Sequence, residues 1–104
     1  MLPNPKLAPT VTVQGNKIVI SRTGGEANEK IDVAIFLAGP NGDVLPAADS
    51  KTANSDNQGD VTLTSAALAG GTYHVQTTTH PTGLGAVVYN NSVVILPPPP
   101  PPGP

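Results

Sequence analysis

The side chains most able to do chemistry in this chain are two histidines, a short run of oxygen-bearing residues before a glycine, and the usual scatter of serines and aspartates. A metal site would need His74 and His80 on one face with carboxylates beside them. His74 lies in a strand-like run, pointing opposite to Tyr73, and His80 lies in the loop Thr79-His80-Pro81-Thr82-Gly83, so the expectation is a surface histidine and a loop histidine, with no metal. Asn54-Ser55-Asp56-Asn57-Gln58-Gly59 places side-chain oxygens at alternate positions before a glycine and partly mimics a calcium loop. The position of the bidentate glutamate of an EF-hand is held by Ser65, so the segment reads first as a plain turn, with a weak calcium site as the alternative.

No Gly-x-Ser-x-Gly elbow positions a nucleophile. Gly83-Leu84-Gly85 lacks the third glycine of a dinucleotide fingerprint, and no phosphate-binding loop is present. Asn90-Asn91-Ser92 is formally a glycosylation acceptor, relevant only in a eukaryotic secretory route. The expectation is a protein that is not an enzyme and that carries no cofactor.

Composition narrows the partners. The chain has 104 residues, a net charge of -2, 12% charged and 3% aromatic residues and no cysteine. Lys6, Lys17, Arg22, Lys30 and Lys51 are scattered and form no basic stripe with interleaved aromatics, which argues against nucleic acid. The absence of cysteine excludes disulfides and thiolate chemistry together. No apolar run reaches membrane-spanning length, so no membrane partner is expected. Met1 to Thr10 has no signal-like apolar stretch, and the expectation is a chain made in the cytoplasm without a signal peptide.

The elements that must position any site are strands. Apolar and polar residues alternate in short runs: Thr10 to Val13, Lys17 to Arg22, Lys30 to Ala38, Asp43 to Leu45, Asp60 to Thr64, Thr72 to Thr79 and Ala86 to Leu96, the last with a break near Asn90 and Asn91. Turn chemistry separates them at Gln14-Gly15-Asn16, Gly39-Pro40-Asn41-Gly42 and Asn57-Gln58-Gly59. Ser65 to Leu68 fits one short helical turn. In the third run Ile31, Val33, Ile35 and Leu37 share the expected core face, while Phe36 falls on the other, either as an ordinary surface aromatic or as part of a patch that a partner covers. About seven short strands without helices predict an all-β, two-sheet antiparallel sandwich of immunoglobulin-like type with extended proline-rich termini.

Three units follow: an extended arm over residues 1–9 with Pro3, Pro5 and Pro9, the sandwich over residues 10–96, and a tail over residues 97–104 with seven prolines in eight positions. Such a tail cannot pair in a sheet and favours a polyproline II rod, which loses little entropy on docking. Leu2, Pro3, Pro5, Phe36 and Pro97, Pro98, Pro99, Pro100, Pro101 and Pro102 are the candidate partner-binding residues. The loops Gly24 to Glu29, Ala47 to Asp56 and Thr79 to Gly85 are further contact candidates.

The segment Asp56 to Val75 carries Gly59 after an Asp/Asn turn, Val61 and Leu63 in a strand, Leu68 at a corner and Gly71-Thr72-Tyr73-His74-Val75. This resembles the strand-turn-strand signature of bacterial and phage immunoglobulin-like domains, with Tyr73 between the sheets and its hydroxyl free to bond nearby backbone. With extended arms and no signal peptide, the chain is similar to bacteriophage immunoglobulin-like virion decoration proteins of capsids or tails. The resemblance implies a non-enzymatic structural protein of the virion that binds a capsid, tail or other lattice protein. Two alternatives stand beside it: a carbohydrate-binding or adhesive module of a larger extracellular protein, facing a host surface glycan, and a filament subunit that assembles with identical copies of itself.

Overall fold

A computed structural model describes residues 8–39 and 44–97 of the chain. Seven strands make up the fold: β1 (Thr10–Gln14), β2 (Lys17–Arg22), β3 (Lys30–Ala38), β4 (Val44–Asn54), β5 (Val61–Thr64), β6 (Gly71–Thr79) and β7 (Val87–Ile95). No helix occurs among the described residues. The strands form a three-stranded sheet in the order β1-β2-β5 and a four-stranded sheet in the order β4-β3-β6-β7, every pairing antiparallel. This is the two-sheet sandwich that the alternation predicts. The fourth strand lies beside β3 in the larger sheet, whereas a constant-type immunoglobulin domain has it beside the fifth.

The period of two decides which residues meet between the sheets. Ile18 and Ile20 of β2 and Val61 and Leu63 of β5 face Ile31, Val33 and Ile35 of β3, Tyr73 and Val75 of β6 and Ile95 of β7, all of them buried. Leu37 shares the core face of β3 and is partly buried against this cluster. The core is therefore aliphatic with one aromatic, Tyr73, whose hydroxyl donates to Ala69 O at 2.7 Å. That bond ties the corner before β6 to its own strand, and Leu68 packs beside it, partly buried.

Three elements differ from the sequence reading. β4 runs eleven residues to Asn54, so most of the segment expected as the loop Ala47 to Asp56 is strand. Its pattern was hidden because β4 is a sheet edge: Pro46, Ala47, Ala48 and Ser50 are all exposed, and alternation fades where neither face is fully covered. β7 runs unbroken through Asn90 and Asn91, each paired in register with β6. Ser65 to Leu68 forms no helical turn; instead Ser65 N donates to Ile18 O and Leu68 N to Asn16 O, so the backbone continues alongside β2 and its turn. Of the proline-bearing ends, Pro9 is buried and Pro97 exposed. Residues 1–7 and 98–104, which carry the remaining arm and tail positions, lie outside the described residues.

Candidate docking surfaces

Buried polar groups hold one end of the sandwich. Arg22, at the end of β2, and Glu29, just before β3, lie on the inward parity of their strands and meet at 2.7 Å, with side chains 1% and 0% exposed. Arg22 Nε and Nη1 and Glu29 Oε2 have no protein hydrogen-bond partner, so the contact is one of charge rather than of a satisfied network. Gly25 is packed against the guanidinium: a Cβ there would lie 2.5 Å from Arg22 Cζ.

Ser55 braces the same loop, accepting from Glu29 N at 2.9 Å and donating to Glu26 O at 2.5 Å. Glu26 Oε2 in turn accepts from Thr82 N at 2.9 Å, linking the β2–β3 loop to the β6–β7 loop. Gly59 closes the neighbouring turn at φ 80°, and its carbonyl accepts from Gly25 N at 3.2 Å. The expected contact loops Gly24 to Glu29 and Thr79 to Gly85 are therefore joined to each other at one end.

The segment that partly mimics a calcium loop spends its carboxylate internally. Asp56 Oδ1 accepts from Gln58 N at 2.8 Å and Asp60 N at 3.0 Å, an Asx-type turn. The backbone amides of Asp60, then Gln58, hold the Asp56 carboxyl below the ordinary carboxylate value. Among the described residues no three potential ligands gather as a metal would need.

His74 is exposed on the outer face of the four-stranded sheet. His80 does more than the loop reading allowed, because its Nε2 lies 3.0 Å from Asp32 Oδ2, while Thr52 Oγ1 donates to Asp32 Oδ1 at 2.8 Å. These bonds, His80 first and Thr52 second, hold the Asp32 carboxyl below its ordinary value. The carboxylate sits between the imidazole and the hydroxyl, the reverse of the order in which a histidine activates a nucleophile.

Two depressions remain as docking candidates. The first is a groove of about 1110 Å³ at the opposite end of the domain, walled by Val13, Leu68, Val94, Leu96 and Pro97. Val94 is 55% and Leu96 78% exposed, so the apolar wall faces solvent where β7 ends. Pro97 is pressed against Gly70, where an added Cβ would lie 2.8 Å from Pro97 Cα. The second is a trough of about 410 Å³ on the outer face of the four-stranded sheet, lined by Phe36, His74, Gln76 and Asn90.

Phe36 is half-buried in that trough, opposite His74, and the β3–β4 register shifts on both sides of it. Such bulges re-aim side chains. Of the sequence-predicted site residues, the structure thus places Phe36 in the trough and Pro97 at the groove, which are separate surfaces. Leu2, Pro3, Pro5 and Pro98 to Pro102 lie outside the described residues. The groove was not anticipated; its signal was the apolar triplet Val94, Ile95, Leu96, in which only Ile95 is inside.

No protein-family profile and no curated protein sequence matches the chain. The fold is similar to part of a crystal structure of a family 76 glycoside hydrolase from a bovine Bacteroides thetaiotaomicron strain, with a TM-score of 0.53 and 15% identity over 92% of this chain. The match takes in 21% of that enzyme's chain, so this protein spans about a fifth of the structure it resembles. At that identity the likeness is one of fold.

Proposed function

We propose that the protein is a non-enzymatic decoration module of the kind found on virions: an immunoglobulin-like sandwich held to a capsid, tail or similar lattice protein by its proline-rich arms. The observation that carries this reading is the exit of the chain. Pro97 leaves β7 beside an exposed apolar groove walled by Val13, Leu68, Val94 and Leu96, an apolar surface open to a lattice subunit where the sandwich ends. A stiff proline segment starting from a packed anchor loses little entropy on docking. The test is co-sedimentation of the full chain, and of a chain ending at Leu96, with purified candidate particles. Tail-dependent binding supports the reading; equal binding of both chains, or of neither, counts against it.

A second reading has its own support. The Phe36 trough combines an aromatic ring with imidazole and amide groups, chemistry suited to stacking on and hydrogen bonding a neutral sugar, and a similar sandwich makes up part of a glycoside hydrolase chain. In that reading the chain is a glycan-facing accessory module. Titration calorimetry with oligosaccharides, comparing the native chain with Phe36→Ala, distinguishes it: heat lost on substitution favours the sugar reading.

A further inference from the structure

The outward residues of the four-stranded sheet fall into rows that cross its strands. The registers align Thr52, Asp32, Thr78 and Val88 in one row, Ser50, Ala34, Gln76 and Asn90 in the next, and Phe36, His74 and Ser92 in a third. Side chains alternate between the faces along each strand, so these rows all lie on the face turned away from the three-stranded sheet.

In the first row Asp32 is already spent. Thr52 Oγ1 donates to Asp32 Oδ1 at 2.8 Å, and His80 Nε2 lies 3.0 Å from Asp32 Oδ2. The next two rows differ. His74, Gln76 and Asn90 are exposed and line the trough beside the half-buried Phe36 ring. Among the described residues their side chains make no hydrogen bond and no ion pair, which leaves an imidazole and two carboxamides with donors and acceptors to offer.

This part of the face also lacks fixed charge. Between Ala34 and Ala38 on β3, Thr72 and Thr78 on β6, and Val88 and Val94 on β7, no outward residue is a carboxylate, a lysine or an arginine. Nothing there compensates the desolvation of an ionic ligand. An uncharged ligand with hydroxyls for the amides and a C–H face for the ring fits the groups present.

The strands set the direction in which such a ligand lies. The trough residues sit on three neighbouring strands, Phe36 on β3, His74 and Gln76 on β6 and Asn90 on β7. Neighbouring strands are about 4.8 Å apart, whereas outward side chains along one strand recur at about 6.7 Å. The repeat of an extended, equatorially linked pyranose chain is close to the first spacing and out of step with the second. Consecutive sugars therefore keep step with consecutive strands.

We propose, resting on the sugar reading of this trough, that it takes a linear, uncharged oligosaccharide laid across the strands, with one sugar over each of β3, β6 and β7. The sugar over β3 stacks on Phe36, and the hydroxyls of the next two bond Gln76 and Asn90.

The test is titration calorimetry of the native chain with cellulose-derived and β-mannan-derived oligomers, from the monosaccharide to the hexasaccharide, and with mannuronate oligomers as the charged counterpart. Affinity for one of the neutral series should rise at least about tenfold from the disaccharide to the trisaccharide and stay within about threefold from there to the hexasaccharide. The mannuronate trisaccharide should bind at least about fivefold more weakly. Phe36→Ala reports on the sugar reading itself and should lower affinity at least about tenfold. Two further variants, each checked for native circular dichroism and melting, read the direction. Asn90→Ala, at the β7 end of the crossing path, should weaken the trisaccharide about five- to tenfold. Thr72→Ala combined with Thr78→Ala, which flank the trough along β6, should leave it within about twofold. Binding that needs Phe36 but stops growing at the disaccharide, prefers mannuronate, or depends on the threonines and not on Asn90 overturns the proposal and leaves the sugar reading standing. Binding of neither neutral series, or binding indifferent to Phe36→Ala, overturns both.

Discussion

Replacing Glu29 by glutamine keeps the shape of the side chain and removes its charge, leaving the Arg22 guanidinium buried without a counter-ion. Both side chains are within 1% of complete burial, and Arg22 Nε and Nη1 have no other protein partner to share the charge. Removing one member of a buried pair typically costs about 3 to 5 kcal/mol, and glutamine, which still presents an oxygen, belongs near about 3. A domain of this length has roughly 5 to 15 kcal/mol in total, so the loss is a large share of it. With a urea slope of about 1 to 1.5 kcal/mol/M, the unfolding midpoint should fall by about 2 to 3 M with the slope unchanged. The melting temperature should fall by about 12 to 24 °C. The companion variant, Arg22→Met with Glu29→Leu, exchanges the pair for apolar volume and should stay within about 1 kcal/mol of the native chain or exceed it. A Glu29→Gln midpoint shift under about 0.7 M, or a double variant as unstable as the single, would refute the reasoning, because the pair would then be solvated or energetically idle.

Other perturbations test the remaining joints of the fold. Gly59→Ala forces a left-handed φ of 80° on a residue with a Cβ and drives that atom into the Gly25 carbonyl; it should cost more than about 2 kcal/mol by urea unfolding, while Gly15→Ala, at φ 65° with open space around it, should cost only about 1. Tyr73→Phe removes the bond to Ala69 O and should cost about 1 kcal/mol, read as a midpoint shift with the native circular dichroism retained. Asp32 titrates below its ordinary value of 3.8 when folded, so it stabilises the fold above that pH and loses the contribution as pH falls from 3.8 through the lower folded value. Because the side chain is about a third exposed the effect is small, and acid unfolding of Asp32→Asn should be shallower than that of the native chain between about pH 4 and 2.

Most of the sandwich was legible because a strand with one buried face writes its period into the sequence. Ile18 and Ile20, and Ile31, Val33 and Ile35, announce β2 and β3 with the boundaries found. β4 did not announce itself, since an edge strand with exposed alanines and serines has no apolar face to repeat. The same parity argument reached further than it was taken: Arg22 continues the inward series of Ile18 and Ile20, and Glu29 precedes the inward series of Ile31 and Val33. Counted by face instead of as scattered surface charge, the two were already opposite each other across a short loop. His80 and Asp32 were not legible, because 48 residues separate them and only the register of β3 against β6 brings the loop over the strand.

The break expected at Asn90 and Asn91 came from the same habit of reading residue type before position. Two asparagines in a row signal a turn when flanking strands must reverse, yet here Asn91 stands opposite Val75 and Asn90 opposite Gln76 in an uninterrupted ladder. A residue of low strand preference at the centre of an edge strand weakens that strand unless something else satisfies its amide. Here the unbroken pairing with β6 carries both asparagines through, so position in the ladder outweighs residue type.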